Sequence, residues 1–221
     1  MQKLNDHNNF VYLTAALLVL LLSLPLLKMF EGGTIYWITR LLIFLMLIVT
    51  YASLNFGPWW RRFVGLTLVL MASSELLFQL GFIGDASPFR LLLLMLFFFS
   101  VAYSAGRRVL LRGHIDTNKI VGSIAIYLLL GLIWAMLYLI ALEFVPGSFN
   151  SIEAGRWEDN FFDVIYFSFV TLTTLGYGDI SPALPLTKSL AYLQAITGTF
   201  YMAIVVASLI GASGTSAKNR Q

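Results

Sequence analysis

The chain has no cysteine and only two histidines in 221 residues. Without thiols there is no disulfide framework, no thiolate metal site and no cysteine nucleophile. His7 and His114 both lie in polar stretches, which leaves neither an axial pair for a haem within a membrane nor a zinc constellation. Charge is scarce as well. Only 11% of the residues are Asp, Glu, Lys or Arg, where soluble domains average about 25%. Fourteen basic and eleven acidic side chains are too few to cover a water-soluble fold of this size. What the chain has in excess is apolar: 59% hydrophobic residues, 15% aromatic, and a mean hydropathy of +0.83. These figures exclude a disordered chain and an ordinary cytosolic enzyme. A net charge of +3 is too weak to suggest a nucleic-acid partner. The bilayer is the solvent that suits this composition.

Apolar runs of about 17–25 residues mark six expected membrane spans, at residues 11–27, 35–54, 63–80, 89–103, 120–144 and 186–210. The first could be mistaken for a signal peptide. It has one lysine before it (Lys3), is followed by Pro-Leu-Leu-Lys and shows no small-x-small cleavage site, so it is expected to be retained. Between the fifth and sixth runs lies a shorter one, 161–172, too short to span. It is expected to enter the membrane and return, which non-helical backbone tolerates only when buried in protein or lining a watery path.

Six spans put both termini on one side. On that side lie nine basic residues: Lys3, Arg61, Arg62, Arg107, Arg108, Arg112, Lys119, Lys218 and Arg220. The other side holds five: Lys28, Arg40, Arg90, Arg156 and Lys188. The positive-inside rule makes the first side cytoplasmic, so the expectation is a multi-pass protein of the cell membrane with both termini cytoplasmic. Asp6 and Asp116 fall inside, Glu75 falls within a span and the other acidic residues fall outside.

The chemistry is concentrated between spans five and six, where an apolar helix of about three turns runs into Thr173-Thr174-Leu175-Gly176-Tyr177-Gly178-Asp179. Two glycines two residues apart permit backbone conformations that side-chain-bearing residues avoid. They allow consecutive carbonyls to point the same way, toward one narrow axis, where a ring of them replaces the water around a bare cation. The helix before the loop would direct its C-terminal, partially negative end toward the membrane interior, which favours a cation there.

This segment resembles the selectivity-filter signature of tetrameric potassium channels. The resemblance extends over about ninety residues, 120–211, as outer helix, pore helix, filter and inner helix. It is to the six-span, voltage-gated-like superfamily, of the prokaryotic type without a cytoplasmic regulatory domain. A bare Gly-Tyr-Gly would be weak. After a Thr-Thr pair, at the end of a half-length apolar helix between two full spans, it is specific. The resemblance implies an all-α membrane protein of six transmembrane helices plus a re-entrant pore helix and filter loop, assembled as a homotetramer. Residues 1–103 would be a four-helix voltage-sensor-like domain, 104–119 a basic cytoplasmic linker, 120–211 the pore domain and 212–221 a short cytoplasmic tail too small for a calcium- or nucleotide-binding domain. Potassium would bind at the hydroxyl and carbonyl of Thr174 and the carbonyls of Leu175, Gly176 and Tyr177, with Gly178 forming the outer mouth. Leu175 departs from the more familiar valine, which alters packing behind the filter while leaving its carbonyl available.

Other positions carry over by the same resemblance. Tyr166 and Phe167 fall where the family often has a Trp-Trp pair, and Tyr166 can donate a hydrogen bond to Asp179 behind the filter. Val170 replaces a glutamate found there in some relatives. Gly198, twenty residues after Gly178, stands at the family's bending glycine, with close helix packing as the other reading. Thr199, Met202, Val206 and Ile210 recur at helical spacing beyond it and would line the inner cavity.

The fourth span lacks the arginine at every third position that drives voltage gating. It has Arg90 at its outer end, and the next basic residues, Arg107 and Arg108, fall beyond it. At about 2.3 kcal/mol per charge per 100 mV, one or two charges cannot make a steep sensor. Glu75 is the carboxylate inside a span, and an unpaired charge there is costly. It and Arg40 both lie roughly 7–8 Å below the outer surface by helical rise and are expected to pair, with Arg90 as the alternative. A gating or proton-sensing role for Glu75 stays open. The basic linker is either an orientation signal or a contact for the gate and anionic lipid. No cofactor is expected beyond K+ as the permeant ion, and the expected partners are membrane lipid and three further copies of the chain. The function implied is passive, potassium-selective conduction. A weakly selective cation channel and a silent subunit of a heteromeric channel remain as alternatives; a membrane enzyme has no His, Cys or Ser constellation to support it.

Overall fold

The computed structural model describes residues 9–28, 41, 44, 47–51, 58–82, 87–110, 117–153 and 155–218. Besides the helical residues 41, 44 and 47–51, they form six helices and one small strand pair: α1 (Asn9–Lys28), α2 (Pro58–Gln79), α3 (Ser87–Leu110), α4 (Thr117–Phe144), β1 (Phe149–Asn150), α5 (Trp157–Leu172), β2 (Ser181–Pro182) and α6 (Pro185–Lys218). The long apolar runs at 11–27, 63–80, 89–103, 120–144 and 186–210 are all helical, and the run 35–54 falls mostly outside the described residues. Among the described residues, Pro88–Val109 and Asn118–Phe144 are long and apolar enough to cross a bilayer, and Asn9–Pro25 is a shorter apolar helix.

Helix length separates the roles. The 28 residues of α4 reach about 42 Å and the 34 of α6 about 51 Å at 1.5 Å per residue. The 16 residues of α5 reach about 24 Å, short of a hydrocarbon core about 30 Å thick. Helix α5 starts with Glu158 and Asp159 in its first turn, where carboxylates complement the positive end of the helix.

Helix α4 is the centre of the assembly and packs against α3, α1, α5 and α6. Leu129, Leu132, Met136 and Tyr138 on α4 are fully buried, as are Leu13 and Leu17 on α1 and Leu91, Leu94 and Phe97 on α3. Between helices in lipid, close fit replaces the hydrophobic drive. The fit is visible at Gly131, where an added Cβ would lie 2.5 Å from the Phe169 ring of α5.

The strand pair is antiparallel, with Phe149 opposite Pro182 and Asn150 opposite Ser181. It departs from a purely helical fold and has a clear use: it joins the approach to α5 with the exit from the loop after it. Ser148 extends the tie, its carbonyl accepting from the Ala183 N–H at 2.9 Å and from Thr187 Oγ1 at 2.8 Å. The start of α6 is thereby pinned to the end of α4.

Candidate functional site

Helix α5 ends at Leu172 with Thr173 as its cap at φ −83° and ψ 0°. Thr174 then turns left-handed at φ 59°. Its N–H donates to Thr171 O at 3.0 Å and the next N–H, of Leu175, donates to Val170 O at 2.9 Å. This is the Schellman arrangement, in which the two N–H groups past the cap reach back over the last turn and glycine usually takes the left-handed position. A threonine there costs roughly 1–2 kcal/mol, and such strain collects at functional sites.

Past the cap the left-handed conformation recurs at every second residue. Gly176 has φ 60° and Gly178 φ 81°, while Leu175 and Tyr177 between them keep ordinary negative values. In a plain strand successive carbonyls point to opposite sides. Reversing the sign of φ at alternate residues turns them toward the same side. Glycine supplies the reversal without steric cost at two of the three positions. Residues 173–179 are all exposed in the single chain, with Leu175 at 55% and Tyr177 at 68%. None of the described residues covers the loop.

Tyr166 and Asp179 are brought together. The tyrosine hydroxyl donates to Asp179 Oδ2 at 2.7 Å, and this bond holds the aspartate below its ordinary carboxylate range. Phe167, one residue on, turns the other way, with its ring 5.0 Å from Tyr138 and 5.2 Å from Phe149. Val170 is buried.

Gly198 lies where α6 crosses the end of α5. A Cβ there would sit 2.1 Å from the Leu172 carbonyl oxygen. Close approach of two backbones is therefore sufficient reason for glycine at this position. Leu172 O also accepts from Tyr127 Oη at 3.3 Å. Thr199 and Met202 are exposed in the single chain, and Thr199 Oγ1 donates to Ala195 O of its own helix at 3.0 Å. Val206 and Ile210 lie on α6 with side chains outside those described.

Arg40 lies outside the described residues. Glu75 pairs with Arg90, the alternative partner, at 3.2 Å. Arg90 also reaches Glu158 at 3.3 Å, and Arg156 reaches the same carboxylate at 3.0 Å. Glu158 had no place in the sequence reading. Neither did Ser168, Gln194 and Tyr138, which form a buried hydrogen-bonded chain between α4, α5 and α6. A signal for one of them existed: Gln194 is the single side-chain amide in the run 186–210, and polar groups inside a span point to function or to a specific partner.

Comparison with known proteins adds three findings. A family model described as "Ion channel" matches residues 123–212. The chain is 35% identical over 75 residues to Two-pore potassium channel 4 of Arabidopsis thaliana, covering 34% of this chain and 26% of that one. It is 36% identical over 66 residues to Two pore potassium channel c of Oryza sativa subsp. japonica, covering 30% of this chain and 14% of that one. The match thus spans well under half the length of either relative. No solved structure matches the chain.

Proposed function

We propose, from the ion-channel family model that matches residues 123–212 and the likeness to two potassium channels, that the chain is one subunit of a potassium-selective channel that conducts passively through a fourfold ring of loops 174–178. The observation that carries this reading is the alternation of left-handed backbone at Thr174, Gly176 and Gly178, placed at the end of a helix too short to span.

In this channel, dehydrated potassium ions queue along the axis. The Thr174 hydroxyl and the carbonyls of Thr174, Leu175, Gly176 and Tyr177 replace the water around each ion, and Gly178 forms the outer mouth. Carbonyl rings do this without a net charge that would trap the ion. The partially negative end of α5 aims at the ions in the cavity below, which Thr199, Met202, Val206 and Ile210 line. Four Gly-Tyr-Gly loops close the ring, and exposure of 173–179 is what a surface completed by neighbours requires. Six spans with both termini cytoplasmic satisfy the distribution of basic residues. The single arginine at the start of α3 supplies too little gating charge for steep voltage dependence.

The test is purified protein in liposomes loaded with potassium. Potassium flux that barium blocks is the expected result. Flux of sodium at a comparable rate would make this a weakly selective cation channel, and absence of flux in every lipid and voltage tested would make it a silent subunit or overturn the reading.

A further inference from the structure

Three side chains with no exposed surface, Tyr138, Ser168 and Gln194, form a polar chain inside an apolar interior. Tyr138 Oη donates to Gln194 Oε1 at 2.6 Å. Gln194 Nε2 donates to Ser168 O at 2.9 Å and to Ser168 Oγ at 2.8 Å. Ser168 Oγ in turn donates to Gly131 O at 2.7 Å. The direction of each bond is forced. A backbone carbonyl only accepts, so the amide nitrogen must face Ser168 O, and the amide oxygen is left to take the tyrosine proton. Both amide hydrogens and both hydroxyl hydrogens are used.

Stability alone does not account for this cluster. Buried polar groups are costly unless paired, and apolar groups of the same shape in all three places would serve packing about as well. What hydrogen bonds add is a fixed relative position. The second contact between the same two helices keeps the same register. Gln194 and Gly198 are four residues apart on α6, as are Ser168 and Leu172 on α5, so each pair lies on one helix face. Gln194 grips Ser168, and one turn on, Gly198 receives the Leu172 carbonyl. Leu172 is two residues from Thr174. A slide of α5 would therefore carry Thr174 with it.

We infer that Tyr138, Gln194 and Ser168 are positioning residues that set how far the filter carbonyls stand from the axis, and so help to determine ion selectivity. They touch no ion and act through α5. The inference rests on the reading of residues 174–178 as the filter.

The experiment measures the potassium-to-sodium permeability ratio of reconstituted tetramers together with their thermal stability. Tyr138→Phe and Ser168→Ala should each lower the ratio about fivefold, the factor equivalent to one net hydrogen bond. Ser168→Thr, which keeps the hydroxyl, should hold the ratio near that of the unaltered protein. If a single variant does not assemble, the triple variant Tyr138→Phe/Ser168→Ala/Gln194→Leu leaves no buried polar partner stranded and should assemble with the lowered ratio. A wild-type ratio in variants that have merely lost thermal stability, or in the triple variant, overturns the inference. An unaltered protein that does not discriminate potassium from sodium overturns the filter reading itself, and this inference with it.

Discussion

Arg90, in the first turn of α3, lies 3.3 Å from Glu158 in the first turn of α5. The same guanidinium reaches Glu75 of α2 at 3.2 Å. Only 5% of Arg90 is exposed, and its guanidinium carbon stands 4.9 Å from the centre of the Phe78 ring. One buried cation thus joins two of the N-terminal helices to the helix that leads into loop 174–178. Its position makes the residue a fastener between carboxylates.

Removing one member of a buried ionic group leaves the others uncompensated, at a cost of about 3–5 kcal/mol. Arg90→Met should therefore lower the thermal stability of the assembled protein far more than Arg107→Met, whose side chain is exposed. Equal melting temperatures for the two variants would contradict the role given to Arg90.

Glu75 serves the same ion pair, and the pairing supports a structural part for it. Glu75→Gln should weaken stability while the pH dependence of the current keeps its shape. Loss of a pH response in that variant would assign Glu75 to proton sensing.

The Tyr166–Asp179 bond has its own pH signature. Because the bond depresses the folded-state value of Asp179, its contribution is fully present above the ordinary aspartate range, near 3.9. It disappears as pH falls through the depressed value. External acidification from pH 7 to about 5 should leave this tether intact. In Tyr166→Phe the aspartate loses its main stabilising partner, so loss of sustained current on acidification should begin at a higher pH and inactivation should be faster. Unchanged inactivation in Tyr166→Phe would remove the tether from the account.

Gly176 and Gly198 should fail differently. Within the chain an added Cβ at Gly176 meets nothing within 4 Å, so Gly176→Ala suffers only from its left-handed backbone, about 1–2 kcal/mol. It should assemble but conduct with reduced selectivity. Gly198→Ala meets a backbone carbonyl that cannot step aside, and overpacking of that kind costs about 1–3 kcal/mol or more. It should reduce the yield and stability of the assembly. A Gly198→Ala protein of normal stability with altered opening kinetics would favour a hinge at that position.

Much of this was readable from sequence because it depends on local pattern. Apolar runs of span length favour helix over strand, and two glycines two residues apart permit the left-handed backbone that the loop adopts. The Tyr166–Asp179 pair, 13 residues apart, came from the family resemblance, which places a hydrogen bond to the aspartate at that pore-helix position. What was not readable depends on register between distant helices. Gln194 stands 26 residues from Ser168 and 56 from Tyr138, and no periodicity says which face of α6 meets which face of α5. Arg90 and Glu158 are 68 residues apart. Depth counting brought Glu75 to Arg40, which lies outside the described residues, with Arg90 as the alternative, and Arg90 is 3.2 Å from Glu75.

The central claim is that loops 174–178 select potassium. Its most direct test is the reversal potential of the reconstituted protein with potassium on one side of the bilayer and sodium on the other. The account predicts a current that reverses close to the potassium equilibrium potential and shifts with the potassium gradient. A reversal midway between the potassium and sodium values would contradict it.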